Sequence, residues 1–369
     1  MEERYIATMV LHGLGDTIGF NNSKWEFMNT NSLQDNTTEK FYEFIDYGGI
    51  NCVPQKGWLI SDDTIMHVAV AKALLKPYDT LEQLYNHIVD EFIVAFNFFT
   101  KNGEFEKRQI GKTLLESLRQ IAKGRKWNGM EYDYYAGGSG ASMRSLCIGL
   151  AYHGINNREQ LIQVGIESSR ITHNSTVGFL GGLVSALFTA YAIENISLDK
   201  WPFLLLELFR SNVIDDYIKS TDRDYDRYSK DVHIFIDKWT TYINGNFDDD
   251  GNHIKRRSTK NLVIRTQYYY NTFRFGDIPE QEFPGSGGDD SVIIAYDCLL
   301  DSTGNWEKLV VYSMLHGGDT DTTGCIAAGW YGAIHGLKGV PTSRIDIIEN
   351  KDELYDLGKK LYKKFNNKN

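Results

Sequence analysis

The residues with the clearest chemical potential lie near the far end of the chain, in His316-Gly317-Gly318-Asp319-Thr320-Asp321-Thr322. Asp319, Asp321 and Thr322 offer oxygen ligands within four positions, and two glycines introduce them. A second acidic stretch, Ser61-Asp62-Asp63-Thr64, stands far upstream and opens an apolar helical pattern, Ile65 to Leu75. Carboxylates at the head of a helix interact favourably with its dipole. Two such heads brought together put four carboxylates and several hydroxyls in one place, a cluster that repels itself unless cations fill it. Hard oxygen ligands suit magnesium, manganese or calcium, and two divalent ions there can polarise a sugar hydroxyl or phosphate and acidify a bound water. Taken alone, each acidic pair reads first as a helix cap. It is their combination that favours a two-part metal site.

Other polar features carry weaker signals. Gly137-Gly138-Ser139-Gly140-Ala141-Ser142 leads into a helix, the kind of entry that presents backbone N–H groups to an anion. It lacks the Lys-Ser/Thr of a nucleotide-binding P-loop, and a flexible connection has the same spacing. The loop Pro284-Gly285-Ser286-Gly287-Gly288 is similar, but Asp289 and Asp290 beside it are expected to repel phosphate. His173 sits between two helical patterns as a cap, a core group or a ligand contact, and His316 is placed to support the metal motif. No serine or cysteine stands in a nucleophile setting.

The elements that must position these groups read as helices. Helical spacing predicts segments at about 3–12, 65–75, 80–99, 107–123, 141–152, 157–169, 176–193, 202–247 with a break near 222–228, 290–300, 305–315 and 350–365. Residues 13–19 read as a tight turn carrying Asp16, and 28–57 and 248–290 as irregular. Gly324, Gly329, Gly332 and Gly336 lie inside the helix after the Asp-Thr-Asp motif. Each interior glycine costs about 1 kcal/mol against alanine, so another backbone must approach closely, and the Ser61 segment is the expected partner. Strand-like alternation is scarce. The two acidic motifs lie near opposite ends, so neither half alone holds a complete site; one all-α domain over 1–369 is expected.

Bulk properties narrow the function. The 369 residues carry a formal net charge of −10, which disfavours nucleic-acid binding because that needs a basic face. The four cysteines (Cys52, Cys147, Cys298, Cys325) show no paired spacing and are expected to be reduced, buried thiols in a cytoplasmic setting. The uncharged run Asn174 to Ile193 has nearly the length of a membrane span. Its hydroxyls and glycines favour a buried core helix, so no membrane partner is expected.

At this point the chain resembles the ADP-ribosylglycohydrolase family, and most closely its ADP-ribosylarginine hydrolase branch. The resemblance spans nearly the whole chain, through Gly15-Asp16, Trp25-Glu26-Phe27, Ser61-Asp62-Asp63-Thr64, Ala141-Ser142-Met143-Arg144, Thr172-His173 and His316 to Thr322. It implies a compact orthogonal helical bundle with a binuclear magnesium site, manganese being the alternative, at the base of a cleft. By resemblance, Ser61, Asp62, Asp63, Asp319, Asp321 and Thr322 bind the two ions, and Glu26 lies near metals and scissile ribose. Gly137, Gly138, Ser139, Gly140, Ala141, Ser142 and His173 line the ADP-ribose pocket, with Ser286 and Gly287 bordering it. Asp62 or Asp63 then serves as base in hydrolysing the bond between ADP-ribose and an arginine side chain. The implied partners are ADP-ribosylated proteins and ADP-ribose, with a monomer expected. Vertebrate arginine hydrolases carry His-Glu-Gly-Gly-Cys-Gly where this chain has Tyr135 to Gly140. That departure keeps another linkage, serine or a small molecule, in view; the alternative of a different class is a non-catalytic ADP-ribose-binding protein.

Overall fold

The first helix, Glu2–Phe20, is buried continuously from Tyr5 to Phe20. The expected stop at Gly13 does not occur: the chain stays helical through Gly13, Gly15 and Gly19. The reason is packing against the helix Thr320–His335. A Cβ at Gly15 would lie 2.4 Å from the Gly324 carbonyl oxygen, and one at Gly19 would lie 2.0 Å from that of Thr320. From the other side, a Cβ at Gly332 would meet the Ala7 carbonyl oxygen at 2.5 Å. Glycine is therefore required where two backbones touch. The close approach read from the sequence is real, but its partner is the first helix and not the Ser61 segment.

This computed structural model describes residues 1–27, 33–252, 261–273 and 283–366. Among the described residues the architecture is all-α, with an antiparallel bridge between Gly138 and Gly287. The helix Thr176–Ile193 runs through the centre, with its N-cap Ser175 Oγ accepting the Gly178 N–H at 3.2 Å. It is long and apolar enough to cross a membrane, yet every one of its residues lies inside the protein. Around Phe188 on this helix, the rings of Trp201, Trp239, Tyr296 and Trp330 pack with centroids 5.1–5.7 Å away. Aromatic pairs at such spacing add to simple area burial. Outer helices show the usual division of labour: in Lys112–Ala122, Leu114, Leu118 and Ile121 face inward.

Several other boundaries differ from expectation. The stretch read as irregular before the Ser61 motif contains a helix, Leu33–Asp46, and 248–290 contains another, Leu262–Phe273; 28–32, 253–260 and 274–282 lie outside the described residues. The segment 141–152 is a short 3-10 turn, Ser139–Ala141, followed by a helix only from Leu146 to Ala151. The long segment 202–247 is three helices, Trp201–Arg210, Val213–Ser220 and Tyr225–Asn246. All four cysteines are free thiols, with Cys52 half-buried and the others buried.

The helix Leu262–Phe273 is pinned by charge. Arg265, fully buried, donates to Asp297 at 2.6 Å and Asp301 at 2.5 Å on the helix Asp290–Ser302. Its guanidinium also lies 4.2 Å from the Tyr312 ring centroid.

Candidate active site

Both acidic motifs cap helices whose first turns meet at the floor of one cavity. Ser61 is the N-cap of Asp62–Leu75, and its Oγ accepts the Asp63 N–H at 3.1 Å. Asp319 is the N-cap of Thr320–His335, and its carboxylate accepts the Thr322 N–H at 3.3 Å. The Thr322 hydroxyl donates to Asp63 Oδ2 at 3.0 Å, joining the two motifs across 259 positions of sequence. Asp321 Oδ1 accepts the Thr322 N–H at 2.8 Å.

Residues outside the motifs fix this geometry. Asp16, on the first helix, accepts the N–H groups of Ser61 and Thr64 at 3.1 Å each, so it holds the head of the Asp62–Leu75 helix. His316 Nδ1 accepts the Gly318 N–H at 3.0 Å, which puts the ring proton on Nε2 facing Thr323 Oγ1 at 2.8 Å. The expected support by His316 is thus a fixed tautomer that sets the Gly317-Gly318-Asp319 turn. Lys40 donates to the His316 carbonyl at 2.8 Å from a fully buried position. It was not anticipated, because its helix was not.

The floor is strongly acidic. Glu26, Asp62, Asp63, Asp319 and Asp321 are each 6% exposed or less, so little water screens them. Burial, and then the charge of Asp321, holds Glu26, Asp62, Asp63 and Asp319 well above the usual carboxylate range. Glu26 and Asp319 also share hydrogen bonds with Asp321. Asp16 is pushed up to about 7 by burial and by Asp321. Burial lowers Lys40 to about 7 despite the acids around it. Such a cluster is relieved by cations, and an all-oxygen donor set fits magnesium or manganese. Among the described residues no three His, Cys, Asp or Glu groups close on one point; the carboxylates ring the floor rather than forming a cage.

Above them is a cavity of about 710 Å³, lined by Glu26, Asp62, Asp63, Asp319, Asp321 and Thr322 below and by Gly138, Ser139, Gly140, Met143, His173 and Ser286 on one wall. Ser139 Oγ reaches Asp319 Oδ2 at 3.3 Å. His173 is 3% exposed, and burial holds its ring neutral. A Cβ at Gly140 would lie 2.5 Å from that ring, so glycine lets the loop lie flat on it. Gly137, Ala141, Ser142 and Gly287 stand behind this lining, as does Ser61, which is fully buried. Arg144, buried without a carboxylate partner, donates to the carbonyls of Gly140 at 2.5 Å and Ser168 at 3.1 Å. It sits in a stretch whose sequence shows only helix-like spacing, and it sets the pose of the glycine loop.

The second glycine loop works differently from expectation. Ser139 N–H donates to Ser286 O and Gly288 N–H to Gly137 O, both at 2.8 Å, zipping the two loops together. Asp290 accepts the Gly285 and Gly287 N–H groups at 2.8 Å, and Asp289 pairs with Lys238 at 2.6 Å. These carboxylates are therefore tied inside the loop's own framework and do not confront an anion in the cavity.

A family model described as ADP-ribosylglycohydrolase matches residues 1–369. The chain belongs to the ADP-ribosylglycohydrolase family. It is 39% identical over 353 residues to a protein of Acanthamoeba polyphaga mimivirus provisionally named an ADP-ribosyl glycohydrolase, covering 93% of this chain and 66% of that protein. It is 33% identical over 380 residues to ADP-ribosylhydrolase ARH1 of Dictyostelium discoideum, covering 98% and 94%. It is 24% identical over 322 residues to ADP-ribosylhydrolase ARH3 of Xenopus tropicalis, covering 82% and 81%. The solved structure of an ADP-ribosylglycohydrolase-related protein complex shares the fold, with a TM-score of 0.56 at 14% identity over 98% of each chain. Family membership implies ADP-ribosylated substrates.

Proposed function

We propose that this ADP-ribosylglycohydrolase removes ADP-ribose from arginine side chains of proteins and depends on magnesium. The observation that carries the reading is the Thr322–Asp63 hydrogen bond, which joins both acidic helix heads under one glycine-walled cavity. The arginine linkage is taken from the resemblance of Ser61 to Thr64 and His316 to Thr322 to the arginine-hydrolase branch.

Two divalent cations held by Ser61, Asp62, Asp63, Asp319, Asp321 and Thr322 would grip ribose hydroxyls and lower the pKa of a water. The chain's own groups do the rest. Asp62 or Asp63 accepts the proton of a water whose oxygen joins C1″ as the bond from C1″ to the guanidino nitrogen breaks. The departing nitrogen regains that proton. Positive charge gathers on the ribose ring along this path, as in other glycoside hydrolyses, and Glu26 on the cavity floor stabilises it electrostatically. The Gly138–Gly140 wall and neutral His173 take the uncharged and phosphate-bearing parts of ADP-ribose.

The test incubates purified protein with arginine-linked and serine-linked ADP-ribosyl peptides, in magnesium or EDTA, with Asp319→Ala alongside, and measures free ADP-ribose. Magnesium-dependent release from the arginine peptide, abolished by the substitution, is the expected result. Release from the serine peptide alone favours the second reading, another linkage. ADP-ribose binding without release from either identifies a reader of the modification.

A further inference from the structure

One wall of the cavity is unlike the rest. Phe27 and Phe283 line it together, with ring centroids 5.4 Å apart at 66°, and Phe283 leads into the second glycine loop, its carbonyl accepting the Ser286 N–H at 3.2 Å. Both are tied to the turn that delivers Asp319. The Phe27 N–H donates to the Gly318 carbonyl at 3.3 Å, and the Asp319 N–H donates to the carbonyl of Pro284, next to Phe283, at 2.9 Å. Phe27 is held at φ +42°, a left-handed conformation that is a true outlier for a bulky residue. Its side chain nevertheless remains 38% exposed. A strained backbone that keeps an aromatic ring at a cavity mouth points to a ligand contact, because strain of this kind concentrates at binding sites.

We propose that Phe27 and Phe283 form an aromatic clamp for the guanidinium of the acceptor arginine. This rests on the arginine-hydrolase reading and extends it to the leaving side of the bond. Phe27 directly follows Glu26, so the clamp adjoins the floor where the C1″ bond would be broken. The cavity lining holds five carboxylates and one cation, Lys112. A planar guanidinium gains from aromatic faces in a way that a neutral hydroxyl acceptor does not. The pair therefore reads the acceptor.

The test compares wild type with Phe27→Leu, Phe283→Leu and Phe27→Trp on an arginine-linked ADP-ribosyl peptide. Inhibition by agmatine, a free alkylguanidine, and ADP-ribose affinity by calorimetry are measured beside it. Leucine keeps bulk but removes the π face. Each leucine variant is expected to raise KM and the agmatine inhibition constant together by about tenfold, with kcat changed less and tryptophan restoring both. An unchanged agmatine constant overturns the clamp, and so does a leucine variant that loses kcat alone. Loss of ADP-ribose binding in either leucine variant also overturns it, by assigning these rings to the nucleotide side. A wild type that releases nothing from the arginine peptide overturns the clamp and the linkage reading together; normal wild-type turnover with unaffected variants overturns the clamp alone.

Discussion

The crossing of the first helix with Thr320–His335 predicts that Gly19→Ala damages the site without touching it. A methyl group there would sit 2.0 Å from the Thr320 carbonyl oxygen and 2.4 Å from its carbon, more than about 1 Å inside ordinary contact. The obstacle is backbone, so no side-chain rotation relieves it and the helices must separate. Overpacking of this kind costs about 1–3 kcal/mol. Separation also weakens the 2.9 Å bond from the Thr320 hydroxyl to the Gly19 carbonyl, worth about 1 kcal/mol. Alanine returns about 1 kcal/mol through helix propensity. The net loss of about 1–3 kcal/mol lowers Tm by about 1–4 °C, given an unfolding entropy of about 2.1 cal/mol/K per residue over 369 residues. Thr320 lies between Asp319 and Asp321, so the shift passes directly to the acidic floor, where a displacement of about 1 Å costs about 100-fold in kcat/KM. Differential scanning calorimetry and ADP-ribose release measure the two effects. Gly245→Ala is the control: its methyl group would meet nothing closer than the Tyr268 hydroxyl at 3.7 Å, so stability and turnover are expected to hold. A Gly19→Ala protein with wild-type Tm and turnover refutes the argument that these glycines exist for backbone contact.

Two further predictions concern groups away from the cavity. His67, stacked on His12 with centroids 4.0 Å apart, gives its Nδ1 proton to the Arg144 carbonyl at 3.0 Å and turns Nε2 to the Met9 sulfur at 3.2 Å. Burial lowers its pKa to about 4, below an unfolded value of about 6.5. Its neutral form is favoured in the fold, so the contribution is complete above pH ~6.5 and falls by about 3 kcal/mol as pH drops to ~4. In urea titrations across that range, the gap between wild type and His67→Asn should shrink by about that amount; parallel losses refute it. Arg265→Met strands Asp297 and Asp301 in the interior and should cost about 3–5 kcal/mol by urea unfolding, whereas a loss below about 1 kcal/mol would show the network to be dispensable.

What could be read from the sequence divides along a physical line. The acidic helix heads were legible because capping is local: Ser61 and Asp319 are N-caps in sequence and in space. Thr176–Ile193 was legible to the residue because its apolar run is bounded by Ser175 and by Glu194. The first helix was not. It is buried on nearly every side, so it has no polar stripe to show a helical period, and its glycines imitate turn signals. Leu33–Asp46 was missed because it is polar, and Leu262–Phe273 because its apolar and aromatic residues cluster at 262–264 and 268–270 without a clear helical period; long-range contacts such as Lys40 to His316 and Arg265 to Asp297 carry part of their anchoring.

The same line explains why the glycine partner was misassigned. Gly336 turns out to be the C-cap of the helix, and the interior glycines before it announce that some backbone comes close, but not which one, because pairing across some three hundred positions leaves no local trace. The structure gives a reason for choosing the first helix. Asp16 lies on it between Gly15 and Gly19, and its carboxylate carries the head of the Asp62–Leu75 helix. Packing Gly15 and Gly19 on the Asp319-capped helix therefore places Asp16, and through it Ser61, at a set distance from Asp319 and Asp321. One backbone crossing thereby fixes the spacing of both acidic motifs. A larger residue at Gly15 or Gly19 would change that spacing even with every carboxylate intact.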